Sequence, residues 1–185
     1  MHRPPQAPIN SMREAAGLAP IDLSARYSAD EVSTHLARTE IFLTGMNRDS
    51  TVYMVGSGGM PLSVLFMHRF TDARIICLEI SEESLQDGRN FCNFLIGQHP
   101  DNFRREAIDL RYGDGATFDY GECDIIVLSI HTMNKVEMIQ RIIDTAPRDR
   151  DVIVVERQVK DLWGSTFIRT TALIRRACRS RRWDR

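Results

Sequence analysis

Several common signatures of function are missing from this chain of 185 residues. Its four cysteines are scattered and form no Cys-x-x-Cys pair, which argues against the usual zinc and redox motifs. We therefore predict buried thiols in a reducing compartment rather than a disulfide framework, and no metal site. The chain also has no apolar run of the roughly 20 residues that cross a membrane, and no hydrophobic signal core at its N-terminus. These absences predict a cytoplasmic protein without a membrane partner.

An excess of charge of either sign is missing as well. The sequence has 24 Lys and Arg against 25 Asp and Glu, a formal net charge of −1, which gives no general electrostatic attraction to nucleic acid. Arginine is nevertheless concentrated near the C-terminus, at positions 169, 175, 176, 179, 181, 182 and 185. Two interpretations are open, a basic tail that binds RNA and the solvated end of a helix. We favour the second, which predicts no nucleic-acid partner.

Two familiar phosphate-binding loops are absent, although a glycine-rich loop is present. In "TVYMVGSGGMPLS" at 51–63 a run of strand formers breaks into glycine. The dinucleotide fingerprint G-x-G-x-x-G would need glycine where Pro61 stands, and no Lys-Ser or Lys-Thr completes a G-x-x-x-x-G-K-[ST] loop. The loop is therefore either a plain turn or a site for a ligand other than NAD or ATP. Its predicted cofactor-binding residues are Gly56, Ser57, Gly58, Gly59, Pro61 and Leu62.

Strand and helix patterns alternate along the chain. Short β-branched runs predict strands at 51–55, 74–80, 108–112, 124–130 and 151–156, and apolar periodicity predicts helices at 30–45, 61–70, 81–97 and 134–146. Nearly continuous apolar strands joined by helices indicate a doubly wound, mostly parallel α/β sheet. We divide the chain into an N-terminal arm and helical lid at 1–47 and one compact α/β domain at 48–185.

Polar residues follow the second and third predicted strands, at the edge where ligands bind in such sheets. Glu79 is an acceptor-only side chain that can take both hydroxyls of a ribose, and Ile80 belongs to the same predicted site. The alternative role of Glu79 is that of a solvated acid at the start of a helix, and we favour the ribose role. In "YGDGATF", Asp114 and Gly115 form either an Asp-Gly turn or a contact to an exocyclic amine such as that of adenine.

The fourth strand end, "LSIHTMNK", offers a cluster of polar groups. We assign Ser129 to the cofactor site and name His131 and Asn134 as candidate catalytic residues, with a purely structural histidine as the alternative. At the end of the fifth strand we expect Glu156 and Arg157 to pair with each other.

These motifs taken together resemble those of class I S-adenosylmethionine (SAM) dependent methyltransferases. The similarity runs from "VYMVGSGGMPLS" through "CLEIS" and "RYGDGATF" to "CDIIVLSIHTMNK", over residues 51–157. It implies that the first loop passes the methionyl part of SAM, that Glu79 binds the ribose, and that Asp114 lies near the adenine amine. The implied cofactor is SAM, and the implied activity is that of a SAM-dependent transferase.

A narrower similarity points to nicotianamine synthase and its relatives. The loop Gly-Ser-Gly-x-x-Pro-Leu-Ser at 56–63 and the segments "SIHTMNKVEMIQRII" and "DVIVVERQ" resemble the corresponding parts of those enzymes. The resemblance implies attack of an amine on the methionyl γ-carbon, either as aminocarboxypropyl transfer or as closure of SAM to azetidine-2-carboxylate with release of methylthioadenosine. Ordinary methyl transfer to a small molecule is the alternative.

The C-terminal part departs from the family, whose sheet has seven strands. Only one further strand is expected here, within "STFIRTTALI", so we predict a shortened C-terminus. Tyr27, before the first helix, is a third candidate catalytic residue, and packing of the lid onto the sheet is its alternative role. We expect a small-molecule substrate or SAM itself as the partner, with a homodimer possible. A non-catalytic SAM-fold subunit and an RNA-binding protein are the rival functions.

Overall fold

The structure is a computed structural model that describes residues 29–159 and 166–174, with side chains from 33 to 158. Tyr27, the arm, Cys178 and the arginines from 175 onward lie outside the described residues. The elements are α1 (Ala29–Thr44), β1 (Thr51–Val55), α2 (Leu62–Thr71), β2 (Arg74–Glu79), α3 (Glu82–Gln98), β3 (Ile108–Tyr112), β4 (Ile125–Leu128), α4 (Lys135–Thr145), β5 (Val152–Val159) and β6 (Thr166–Ile174).

The strands form one sheet in the order β3-β2-β1-β4-β5-β6. The first five are parallel, and β6 runs antiparallel to β5 at the edge. The predicted doubly wound α/β fold is confirmed, and the expected extra strand is β6. Since the chain leaves β1 towards β2 and later returns to place β4 on its other side, strand order reverses at β1, where such sheets bind ligands.

Two apolar layers cover the sheet because neighbouring strand residues point to opposite faces. On one face Met54 and Cys77 pack in a cluster with Leu65 of α2 and Phe91 of α3. On the other face the cluster contains Tyr53, Ile76, Ile126, Tyr120 and Ile142. The central strands are thus buried on both sides, which explains their continuous apolar sequences.

The helix α1 packs against α2 through its inner side, which contains Leu36, Ala37 and Glu40. Glu40 is wholly buried and pairs with Arg157 of β5. The expected pairing of Arg157 with Glu156 is therefore wrong. Adjacent strand residues face opposite sides of the sheet, and Glu156 instead approaches Lys135 at 3.3 Å.

A buried histidine joins the segments that precede β2 and β3. His68 Nδ1 donates to the carbonyl oxygen of Ala73 at 2.8 Å, and its Nε2 accepts from the backbone N–H of Arg104 at 2.9 Å. An open cleft of about 410 Å³ lies beside it, lined by residues 68, 69, 72 and 100–104. These residues border the start of β2, so the cleft lies away from the carboxyl ends of the strands.

The described residues were compared with two common structural features, a membrane-spanning helix and a metal-binding cluster, and they contain neither. No described helix combines the length and apolar character needed to cross a bilayer. Within the same ranges, no three His, Cys, Asp or Glu side chains come together in a group that could hold a metal ion.

The three described cysteines are free and buried, so we predict that they react only after unfolding. Burial raises the pKa of Cys92 and of Cys123 to about 12 and that of Cys77 well above its ordinary value. At pH 8 a thiol with a pKa near 12 is ionised in roughly one molecule in ten thousand, and the thiolate is the reactive form. In a Cys178→Ser variant, Ellman's reagent should detect almost no thiol in native protein and three in denaturant. Rapid labelling of the native variant would contradict the burial of these side chains.

Candidate functional site

The glycine-rich loop after β1 is held in a left-handed conformation. Gly56 has φ +78° and Gly58 has φ +69°, values that favour glycine because a Cβ crowds the backbone there. The N–H of Gly56 donates to the carbonyl oxygen of Leu78 at 2.8 Å. The loop therefore turns sharply back over the end of β2.

Gly56 also lies against the end of β4. A Cβ at this position would come within 2.8 Å of Thr132 Oγ1 and 3.2 Å of Ser129 Cβ. Thr132 Oγ1 in turn donates to the carbonyl oxygen of Val55 at 3.1 Å, and Ser129 N–H donates to the same oxygen at 3.0 Å. At Gly58, by contrast, a Cβ would meet nothing within 4 Å, so the loop is tight at one glycine and open at the other.

The carboxylate of Glu79 joins this loop to the start of α3. Glu79 is only 8% exposed, and its Oε2 accepts from Gly58 N–H at 2.8 Å while its Oε1 accepts from Ser81 N–H at 3.1 Å. Ser81 caps α3 by accepting from Ser84 N–H at 3.2 Å. Because a carboxylate can accept about four hydrogen bonds, each oxygen of Glu79 keeps capacity for a ligand hydroxyl.

The loop after β3 is a turn organised by Asp114. Its Oδ1 accepts from Ala116 N–H at 2.9 Å, and its carbonyl oxygen accepts from Thr117 and Phe118 N–H at 3.0 Å each. The Asp-Gly turn that the sequence offered as an alternative is thus present. It does not exclude ligand binding, since no described residue donates to Oδ2 of this half-buried side chain.

An aromatic cluster that sequence reasoning missed supports the same loop. The hydroxyl of Tyr120, which is fully buried, donates to the carbonyl oxygen of Gly115 at 2.9 Å. The ring of Tyr120 lies 5.7 Å from that of Tyr53 and 5.6 Å from that of Phe118. Burial raises the pKa of Tyr120, which keeps the hydroxyl protonated and able to donate. The only signal in the sequence was the aromatic pair that follows "YGDGA".

Gly115 is also closely packed. A Cβ there would lie 2.7 Å from Val55 Cγ1 and 3.1 Å from Met138 Sδ. The need for glycine at 115 therefore comes from contact with β1 and α4.

Of the other residues predicted for the site, some are buried and support the loop, and others are exposed. Pro61 and Leu62 are buried, so they support the loop by packing and do not face solvent. Ile80 is 61% exposed at the rim. His131 and Asn134 are also exposed, and Asn134 has φ +55° where α4 begins, with no side-chain cap. Their catalytic roles stay predictions, as does that of Tyr27.

Comparison with known proteins finds likeness at the level of structure. No protein-family model matches the sequence, and neither does any curated protein. A mutant form of MtNAS in complex with S-adenosylmethionine has 17% identity and a TM-score of 0.58 over 69% of this chain and 46% of that chain. MtNAS in complex with MTA and tNA has 17% identity and a TM-score of 0.58 over 69% of this chain and 44% of that chain. The chain thus spans about half the length of MtNAS.

A conventional methyltransferase gives a similar result. An RNA methyltransferase from Salinibacter ruber, in complex with S-adenosyl-L-homocysteine, has 18% identity and a TM-score of 0.55 over 71% of this chain and 86% of that chain. At such identities the likeness shows the fold alone. The chain has the Rossmann-like fold of class I SAM-dependent methyltransferases.

The two left-handed glycines give a matched test of the loop geometry. Alanine in the left-handed region costs about 1–2 kcal/mol, so both Gly56→Ala and Gly58→Ala should lower the free energy of unfolding. Gly56→Ala should cost about 1–3 kcal/mol more, because its methyl group collides with Thr132 and Ser129. Urea unfolding of the two variants measures the difference. Equal losses would show that the loop and the end of β4 are not in the close contact described.

Proposed function

We propose that this chain is a SAM-dependent transferase that acts on a small molecule, with SAM bound over the carboxyl ends of β1, β2 and β3. The observation that carries the proposal is the hydroxyl of Ser57, which is buried within the glycine loop and has no hydrogen-bond partner among the described residues. A buried polar group without a partner costs about 1–3 kcal/mol. A polar ligand in the loop would supply that partner.

The neighbouring residues fit the other parts of SAM. Glu79 has free acceptor capacity beside the loop and suits the two ribose hydroxyls. Asp114 Oδ2 suits an exocyclic amine, and the exposed Ile80 suits the face of an adenine ring. The space next to Gly58 leaves room for a ligand that approaches the backbone closely. These assignments support SAM as the ligand.

Bound SAM would supply a sulfonium group that makes each attached carbon electrophilic. The protein then has mainly to hold a nucleophile in line with one carbon–sulfur bond. For the finer reaction we propose attack of an amine on the methionyl γ-carbon, either as aminocarboxypropyl transfer or as closure to azetidine-2-carboxylate. It is supported by the similarity of the loop at 56–63 to that of nicotianamine synthases and by the structural likeness to MtNAS.

Conventional methyl transfer is the second candidate reaction. The observation that favours it is the likeness to the Salinibacter ruber methyltransferase, because this chain covers 86% of that protein. A chain of this size can therefore form a fold like that of a methyltransferase without a large additional domain.

The proposed ribose contact predicts the effect of Glu79→Gln on ligand binding. The substitution removes the charge and replaces one acceptor oxygen with a donor that faces a backbone N–H. We expect binding of SAM, measured by calorimetry, to weaken by about 10- to 100-fold. Glu83→Gln, which changes an exposed acid on the neighbouring helix, is the matched control and should bind normally. Failure of the folded wild-type protein to bind SAM would refute the proposed function.

Product analysis distinguishes the two reactions. Incubation with SAM alone should release methylthioadenosine if the methionyl amine closes on its own γ-carbon, and methylthioadenosine with an added amine indicates aminocarboxypropyl transfer. S-adenosylhomocysteine formed only with an acceptor indicates methyl transfer. Binding of SAM with none of these products, across a panel of small amines and hydroxyl compounds, would favour a non-catalytic SAM-binding subunit.

A further inference from the structure

A buried ion pair links three elements of the fold. Glu40 of α1 is 0% exposed and Arg157 of β5 is 6% exposed. Arg157 Nε donates to Glu40 Oε1 at 2.7 Å, and its Nη2 donates to Glu40 Oε2 at 2.9 Å. The same Nη2 lies 3.1 Å from Ser63 Oγ, to which it also donates. We call Glu40, Arg157 and Ser63 the buried polar cluster.

The cluster contacts the beginning of the helix that follows the glycine loop. Ser63 lies in the first turn of α2, two residues after Pro61, so Arg157 contacts the chain just beyond the end of the loop. The main chain of Arg157 anchors the other helix start, because its carbonyl oxygen accepts from Lys135 Nζ at 2.8 Å. One residue at the end of β5 thus holds the starts of both α2 and α4, which follow the loops from β1 and β4.

Stability alone does not account for a charged pair at this place. Glu40 lies on the inner side of α1 beside the apolar Leu36 and Ala37. Replacing a buried ion pair by apolar residues of similar size is often neutral or stabilising, because desolvation offsets the attraction between the charges. A bidentate Arg–carboxylate contact does, however, fix relative position and orientation.

The strand order indicates which part of the ligand this cluster affects. Glu79 and Asp114 lie at the ends of β2 and β3, on one side of β1, whereas Arg157 lies beyond β4 on the other side. We propose that Glu40, Arg157 and Ser63 are positioning residues that hold the glycine loop for the amino-acid arm of the ligand. This inference rests on the proposed function.

The test compares two adenosine thioethers that differ only in that arm. S-adenosylhomocysteine carries the aminocarboxypropyl group on sulfur, whereas methylthioadenosine carries a methyl group there. The variant combines Glu40→Leu with Arg157→Met. These changes remove both charges and put apolar side chains of similar size in their place. We expect it to fold with a Tm close to that of the wild type, to bind methylthioadenosine within about twofold, and to bind S-adenosylhomocysteine about tenfold more weakly.

Ser63→Ala provides a second variant that leaves the ion pair in place. It removes only the contact between Arg157 and α2, so its affinity for S-adenosylhomocysteine should fall selectively but by a smaller factor. This variant also keeps the test valid if the double variant does not fold. Parallel loss of both ligands, or loss of neither, in the folded variants would overturn the inference while leaving the proposed function intact. A wild-type protein that binds neither thioether would refute both.

Discussion

The geometry of the candidate site depends on the carboxylate of Glu79 more than on any other group. Its two oxygens accept from Gly58 N–H and Ser81 N–H, so one side chain fixes the left-handed glycine loop and the start of α3 at the same point. Since each oxygen keeps acceptor capacity, the group that organises the loop is also the one proposed to accept from the ribose. That proposed role accounts for a nearly buried acid, otherwise costly to desolvate, at a strand end.

Much of the fold could be predicted from the sequence because its signals are local. The runs around β1 and β2 are apolar and β-branched, and their predicted bounds lie within one residue of the observed ones. The glycine turn and Glu79 were likewise visible as a pattern at strand ends. The pairing of Arg157 was predicted wrongly because its partner, Glu40, is 117 residues away, and nothing in the spacing of two residues so far apart indicates contact.

Tyr120 shows a second reason why sequence reasoning was incomplete. Its aromatic character suggests only a place in the core, and it does occupy one beside Tyr53. Its hydroxyl, however, makes a directed bond to Gly115 whose existence depends on where the chain returns after the turn at Asp114. Local pattern thus identifies the residues proposed to face a ligand, but it misses those that support them, because support depends on tertiary packing.

The two kinds of interaction in this protein have different tasks. Apolar packing on both faces of the sheet sets the layers, yet it tolerates small displacements because it is not directional. The glycine loop is instead flanked by directed contacts, from Gly58 to Glu79 on the β2 side and from Arg157 to Ser63, in the first turn of α2, on the β5 side. A reaction at a sulfonium carbon requires little from the protein except an aligned nucleophile. Directed bonds around the loop therefore suit the proposed chemistry, and the proposed role of Arg157 is part of that alignment.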